Sequence, residues 1–142
     1  MITGYGHLAL RVKDMEKSVD FYTRVLGFKK VFDFPNRVTG EPNIVYIHIY
    51  KNIFLELFYG GVTKYEWSRD VIGFNHICLE CKDIDAVVKQ VEDAGWPIDT
   101  PLKKGGDLNM QAWISDPDGN RIELMQIDPE SPQGKVSAGK PV

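Results

Sequence analysis

Apolar and polar positions alternate in two similar stretches of the chain. His7-Leu8-Ala9-Leu10-Arg11-Val12 has period two, the mark of a strand with one buried face. Asp14 follows as a helix N-cap, and Met15, Val19, Tyr22 and Leu26 recur at helical spacing as far as Gly27. Three more strands are predicted at residues 31–34, 44–50 and 53–58, with a tight turn at Lys51-Asn52 joining the last two. The second stretch starts with a strand over residues 75–81. Asp83 then caps a helix with its stripe at Ile84, Val88, Val91 and Ala94, ending at Gly95. A short strand at 96–98, a Gly105-Gly106 loop and strands at 110–114 and 121–126 complete it. The turn Asp116-Pro117-Asp118-Gly119-Asn120 separates the last two.

The two stretches are copies of one unit. With His7 set over His76, His, Leu, Lys and Asp coincide at the same offsets and most other pairs are conservative. Each half reads as βαβββ, giving an α+β fold of two modules. The single domain is expected over residues 1–127, with module one at 3–59, a linker at 60–73 and module two at 74–127. Residues 128–142, rich in Pro, Ser, Gly and Lys, are expected to form a flexible tail.

Four polar residues repeat with the modules. Each last strand carries Glu-Leu after an apolar residue, Leu55-Glu56-Leu57 and Ile122-Glu123-Leu124. Each module therefore holds one His at its first strand and one Glu on its last, at nearly equal spacing. Strand parity puts Leu8, Leu10, Leu55, Leu57, Ile77, Leu79, Ile122 and Leu124 on the faces towards the helices. His7, Glu56, His76 and Glu123 fall on the opposite faces. A glutamate between apolar neighbours is costly to bury unless it is paired or coordinates a metal. Two imidazoles and two carboxylates suit a divalent first-row metal, and ligand softness does not choose among Zn, Ni, Co, Mn and Fe(II).

Composition narrows the field. The 142 residues suffice for one domain, or two small modules sharing one. Seventeen basic and twenty acidic residues give a net charge of −3 with no basic stripe, which leaves nucleic-acid binding unsupported. No apolar run approaches the ~20 residues of a membrane span, and the N-terminus lacks the layout of a secretion signal, so a cytoplasmic protein is expected. The two cysteines, Cys78 and Cys81, have no second pair to make a zinc site. On a strand they face opposite sides about 10 Å apart, too far for a disulfide, and they read as reduced strand residues.

The sequence resembles the vicinal oxygen chelate superfamily and, within it, glyoxalase I (lactoylglutathione lyase). The resemblance is carried by Gly6–Met15, Phe21–Phe28, Leu55-Glu56-Leu57, Asn75-His76-Ile77 and Asp116–Leu124, segments that span residues 5–127. It implies that the two modules pair to form one curved mixed sheet around a metal site. The implied ligands are His7, Glu56, His76 and Glu123, with one divalent ion per site, such as Ni, Co or Zn. It also implies proton transfer next to a carbonyl through a metal-bound enediolate, with Glu123 as leading base and Glu56 as its counterpart. The implied substrate is a small carbonyl compound, such as a glutathione adduct, and the implied assembly is a homodimer that shares the site. Arg11 matches a glutathione-binding arginine of glyoxalase I. The chain departs from the pattern after Tyr59: Gly60 stands where glyoxalase I has a glutathione-contacting asparagine, and the segment through Tyr65-Glu66 is shorter by one residue.

Parity also nominates pocket residues. Tyr46, His48 and Tyr50 alternate with the apolar Val45, Ile47 and Ile49, and Gln111 and Trp113 take the matching places in module two. The loop Lys103-Lys104-Gly105-Gly106 is a candidate for an anionic substrate tail, or simply a solvated basic loop. The expected activity is that of a metal-dependent lyase or isomerase. The alternatives are a metal-dependent epimerase or racemase beside a carbonyl, a ring-cleaving dioxygenase, and a metal-free drug-binding resistance protein.

Overall fold

The computed structural model describes every residue of the chain except position 65. Two compact units divide the chain, residues 1–66 and 67–142, and the boundary falls inside the 60–73 segment. Each is built around one four-stranded mixed sheet, an α+β architecture.

In the first unit the elements are β1 (His7–Arg11), α1 (Met15–Asp20), a π-helical turn (Phe21–Val25), β2 (Lys29–Phe34), β3 (Ile44–Tyr50) and β4 (Ile53–Phe58). The sheet order is β1-β4-β3-β2. β1 runs parallel to β4, while β3 is antiparallel to both β4 and β2. A helical crossover connects β1 to the rest, because parallel neighbours cannot be joined by a hairpin. The Asp14 carboxylate accepts the Lys17 N–H, as the N-cap reading expects.

The helix stripe differs from the expected one. Met15, Ser18, Phe21, Tyr22 and Val25 are buried, whereas Val19 and Leu26 are only half-buried. The cause is the π turn, in which Leu26 N–H reaches back five residues to Phe21 O. The wider turn shifts the side chains that follow and brings both Phe21 and Tyr22 inward. Gly27 then adopts φ 74°, and Phe28 N–H closes onto Tyr22 O.

The second unit has β5 (Ile77–Glu80), α2 (Ile84–Asp93), β6 (Thr100–Lys104), β7 (Met110–Ser115), β8 (Arg121–Gln126) and α3 (Pro132–Ser137). Its order, β5-β8-β7-β6, repeats the first sheet. Asp83 caps α2 by accepting Ala86 N–H. Ile84, Val91, Ala112, Ile114, Ile122 and Leu124 form the buried core.

Two elements depart from the expectations. The short strand lies at Thr100–Lys104 and not at 96–98, so Lys103 and Lys104 belong to a strand and not to a loop. This strand sits at the sheet edge, where Pro101 need not donate a hydrogen bond and charged side chains can face solvent. The second departure is α3, within the segment expected to be a flexible tail. Ser131 caps it, accepting Gly134 N–H, and both Ser131 and Gly134 are buried. Buried Asn109 anchors this segment by bonding Asp107, Gln133 and the Asp128 N–H.

Candidate metal and substrate site

In the first unit, parallel pairing of β1 with β4 puts Ala9 opposite Glu56 and His7 opposite Phe54. The His7 ring leans along the sheet so that Nδ1 stands 3.5 Å from Glu56 Oε1. The Glu56 side chain is only 11% exposed and that of His7 54%. β3 contributes Tyr46 directly opposite Glu56, where its hydroxyl hydrogen-bonds the carboxylate. Burial first, then that carboxylate, push the Tyr46 phenol above its ordinary value. Tyr46 stacks on Phe32 at 4.4 Å and meets Phe54 edge-on at 6.5 Å, so an aromatic wall lies along the Glu56 face.

The other nominated residues of this unit have neighbours of their own. His48 Nε2 is 2.7 Å from Lys51 O, which ties the ring to the β3–β4 turn, and it packs against Phe54 at 5.3 Å. Tyr50 is exposed at the same hairpin, with Lys51 Nζ 5.0 Å from its ring centroid. Arg11 donates to Tyr59 O and lies 5.6 Å over the Phe58 ring, next to Gly60. Tyr65 lies outside the described residues.

The second unit repeats the pair. His76 immediately precedes β5, and Glu123 lies in β8 between Cys78 of β5 and Trp113 of β7. His76 Nε2 is 3.2 Å from Glu123 Oε2. The His76 ring meets Trp113 edge-on at 4.8 Å. Gln111 is placed on β7 two residues from Trp113, but its amide donates to Asp107 and is drawn towards the β6–β7 loop.

Asn75 sets the role of His76 Nδ1. Asn75 Oδ1 is 3.3 Å from Arg121 Nη1 and 2.7 Å from His76 Nδ1. A guanidinium can only donate, so the atom facing it must be the amide oxygen, and His76 Nδ1 must therefore carry a hydrogen. In a neutral ring the lone pair is then on Nε2, facing a carboxylate oxygen. Two acceptors at that distance repel unless a proton or a metal cation lies between or beside them. Ligand atoms sharing an ion at about 2.0–2.2 Å stand roughly 3 Å apart on adjacent corners, and both His–Glu pairs fit that spacing. Neither unit, among the described residues, gathers three or more His, Cys, Asp or Glu side chains at metal-holding distance. Each offers a pair.

A family model for the glyoxalase/bleomycin resistance protein/dioxygenase superfamily matches residues 4–124. The chain belongs to this superfamily. It is 33% identical to a lactoylglutathione lyase of Pseudomonas putida, over 88% of this chain and 86% of that protein. A probable lactoylglutathione lyase of Synechocystis is also 33% identical, over 84% of this chain and 92% of that one. Among solved structures, TnmS3, an antibiotic-binding protein from Streptomyces, is 28% identical, with a TM-score of 0.66 over 89% of this chain and 98% of its own. No helix among the described residues is long and apolar enough to cross a membrane.

Sequence reasoning passed over four residues of this superfamily member's second unit. Cys78 abuts Glu123, whose charge adds to burial in pushing the thiol up to about 12. The signal was present, because Cys78 shares strand parity with His76. Asn75 precedes a candidate ligand, and Arg121 lies two residues before Glu123. Trp67, in the expected linker, packs on Arg121 at 4.1 Å, and nothing in its sequence surroundings marks it.

Proposed function

We propose that this chain is a metal-dependent lyase or isomerase of the lactoylglutathione lyase type. On this reading His7, Glu56, His76 and Glu123 together hold one divalent ion, Ni, Co or Zn, contributed by both modules within one chain or across a homodimer. The observation that carries it is His76 Nε2 set 3.2 Å from the Glu123 carboxylate, repeated in outline by His7 and Glu56. The likeness to lactoylglutathione lyases at 33% identity supports the reaction class.

The ion would supply Lewis acidity that stabilises negative charge developing on a carbonyl oxygen, for several kcal/mol of barrier. The chain's own groups do the rest. A carboxylate takes the proton from the carbon next to the carbonyl, and Glu123 is the leading base, with Glu56 its counterpart. A placed base contributes about 10²–10⁴-fold. Returning the proton to the neighbouring carbon completes an isomerisation, and returning it to the same carbon from the other side completes an epimerisation. Tyr46 and Trp113 line the approach beside the two glutamates, and Arg11, His48, Tyr50 and Gln111 are the further substrate contacts. The substrate is a small carbonyl compound, with a glutathione adduct as the first to test.

The assay is turnover of the methylglyoxal–glutathione hemithioacetal by protein stripped and reloaded with Ni, Co or Zn in turn. Turnover with at least one ion is expected. Metal binding without turnover overturns the lyase reading in favour of the epimerase. The likeness to TnmS3 favours one other reading, a binding protein that uses its cleft without metal. Failure to bind any of the three ions is the result that selects it.

A further inference from the structure

We infer that Asn75 and Arg121 form a positioning relay that fixes the tautomer and direction of His76. The inference rests on the metal-site reading for its purpose, but not for its geometry. Arg121 lies between two indoles, with its guanidinium carbon 4.1 Å from the Trp67 ring centroid and 4.5 Å from that of Trp113. Flat stacking on aromatic faces suits a guanidinium and restrains its plane. From that slot Nη1 donates to Asn75 Oδ1. An arginine cannot accept, so the contact settles which end of the Asn75 amide faces inward. The same oxygen then accepts from His76 Nδ1 at 2.7 Å. The remaining nitrogen, Nε2, is directed at Glu123. Trp113 closes the arrangement, touching both Arg121 and the edge of the His76 ring.

The repeat supplies an internal control. The position equivalent to Asn75 in module one is Gly6, which has no side chain to orient His7. His7 is also the more exposed ring, and it meets Glu56 through Nδ1 and not Nε2. The two modules therefore present their histidines differently. Asn75 orients the second histidine, and Gly6 offers His7 no such side-chain contact. Partners of this kind, one step removed from a ligand, typically change metal affinity by about 10–100-fold when lost.

The test compares the full-length wild type with Asn75→Ala, Asn75→Asp and Arg121→Met. Histidine-labelled protein without metal is observed by nitrogen NMR over a pH series, and each tautomer is read where its ring is neutral. In the wild type His76 is expected to carry its hydrogen on Nδ1. Asn75→Ala is expected to shift His76 towards the Nε2–H form, Asn75→Asp to retain the wild-type pattern, and Arg121→Met to shift it partly. His7 stays unchanged in all three. Titration with Zn or Ni should then show about a 10–100-fold loss of affinity in Asn75→Ala and restoration in Asn75→Asp. An unchanged His76 tautomer in Asn75→Ala overturns the relay. A shifted tautomer in a protein that binds no metal in any form upholds the relay and refutes the metal reading instead.

Discussion

Cys78 stands beside Glu123 across the parallel pairing of β5 and β8, in the same register that sets Ala9 beside Glu56 in the other unit. The two modules thus differ at the residue that neighbours each glutamate. Cys78 keeps an exposed edge, but partial desolvation and the Glu123 carboxylate push its thiol up to about 12, and burial pushes Cys81 upward as well. The thiolate is the reactive form. Both cysteines of the metal-free protein should therefore label slowly with iodoacetamide at pH 8, and unfolding in urea should bring them to the rate of a free thiol. Rapid native labelling of Cys78 would show that its thiol is not held against the carboxylate.

The glutamates are expected to separate by function. Glu123→Gln keeps the size of the side chain but removes the charge, so turnover should fall by about 10²–10⁴-fold if Glu123 is the base. Glu56→Gln should lower metal content as well, because His7 then loses its carboxylate partner. Atomic absorption on the purified variants, read beside hemithioacetal turnover, distinguishes the two roles. Equal turnover in Glu123→Gln and wild type would remove Glu123 from the reaction.

The helix caps give a pH signature. The Asp14 carboxyl is held below its ordinary 3.8, chiefly by the Lys17 N–H it caps. Its stabilising contribution is complete above that ordinary value and is lost as pH falls through the lower, folded value. Asn also caps helices but does not titrate there. Asp14→Asn should therefore flatten the acid limb of the stability–pH curve and leave neutral stability nearly unchanged. At the equivalent cap in module two, Asp83→Ala should cost about 1 kcal/mol at neutral pH by urea unfolding.

Much of this architecture could be read from the chain. The alternation of β3, β4, β7 and β8 stood out because their helix-facing positions are chiefly aliphatic while most opposite positions carry polar or aromatic side chains. The two aspartate caps stood out because each precedes an apolar stripe at helical spacing. The His–Glu pairs could be read because the repeat doubled them. The π turn could not, since a change of helical pitch at Phe21 depends on what packs against it and leaves no spacing of its own. Edge strand β6 was missed because Thr-Pro-Leu-Lys-Lys has no alternation to show, and it pairs with β7 at the edge of the sheet. The Asn75–Arg121 contact joins residues far apart in sequence, and only the fold brings them together.

Helix α3 supplies the sharpest test of the C-terminal segment. Its Gly134 sits so near the chain before it that an added Cβ would come within 2.2 Å of Asp128 O and 2.9 Å of Pro129 Cα. Both neighbours are backbone, so neither can swing aside as a flexible side chain would. Gly134→Ala should therefore push the helix away from Asp128 and break the Ser131 cap and the Asn109–Gln133 bond that hold it. The expected cost is about 1–3 kcal/mol, as for other overpacked sites. Trypsin should then cut at Lys135 faster than in the wild type, while β7 and β8 keep their amide-exchange protection. If cleavage at Lys135 is equally fast in both proteins, the segment is not docked in solution.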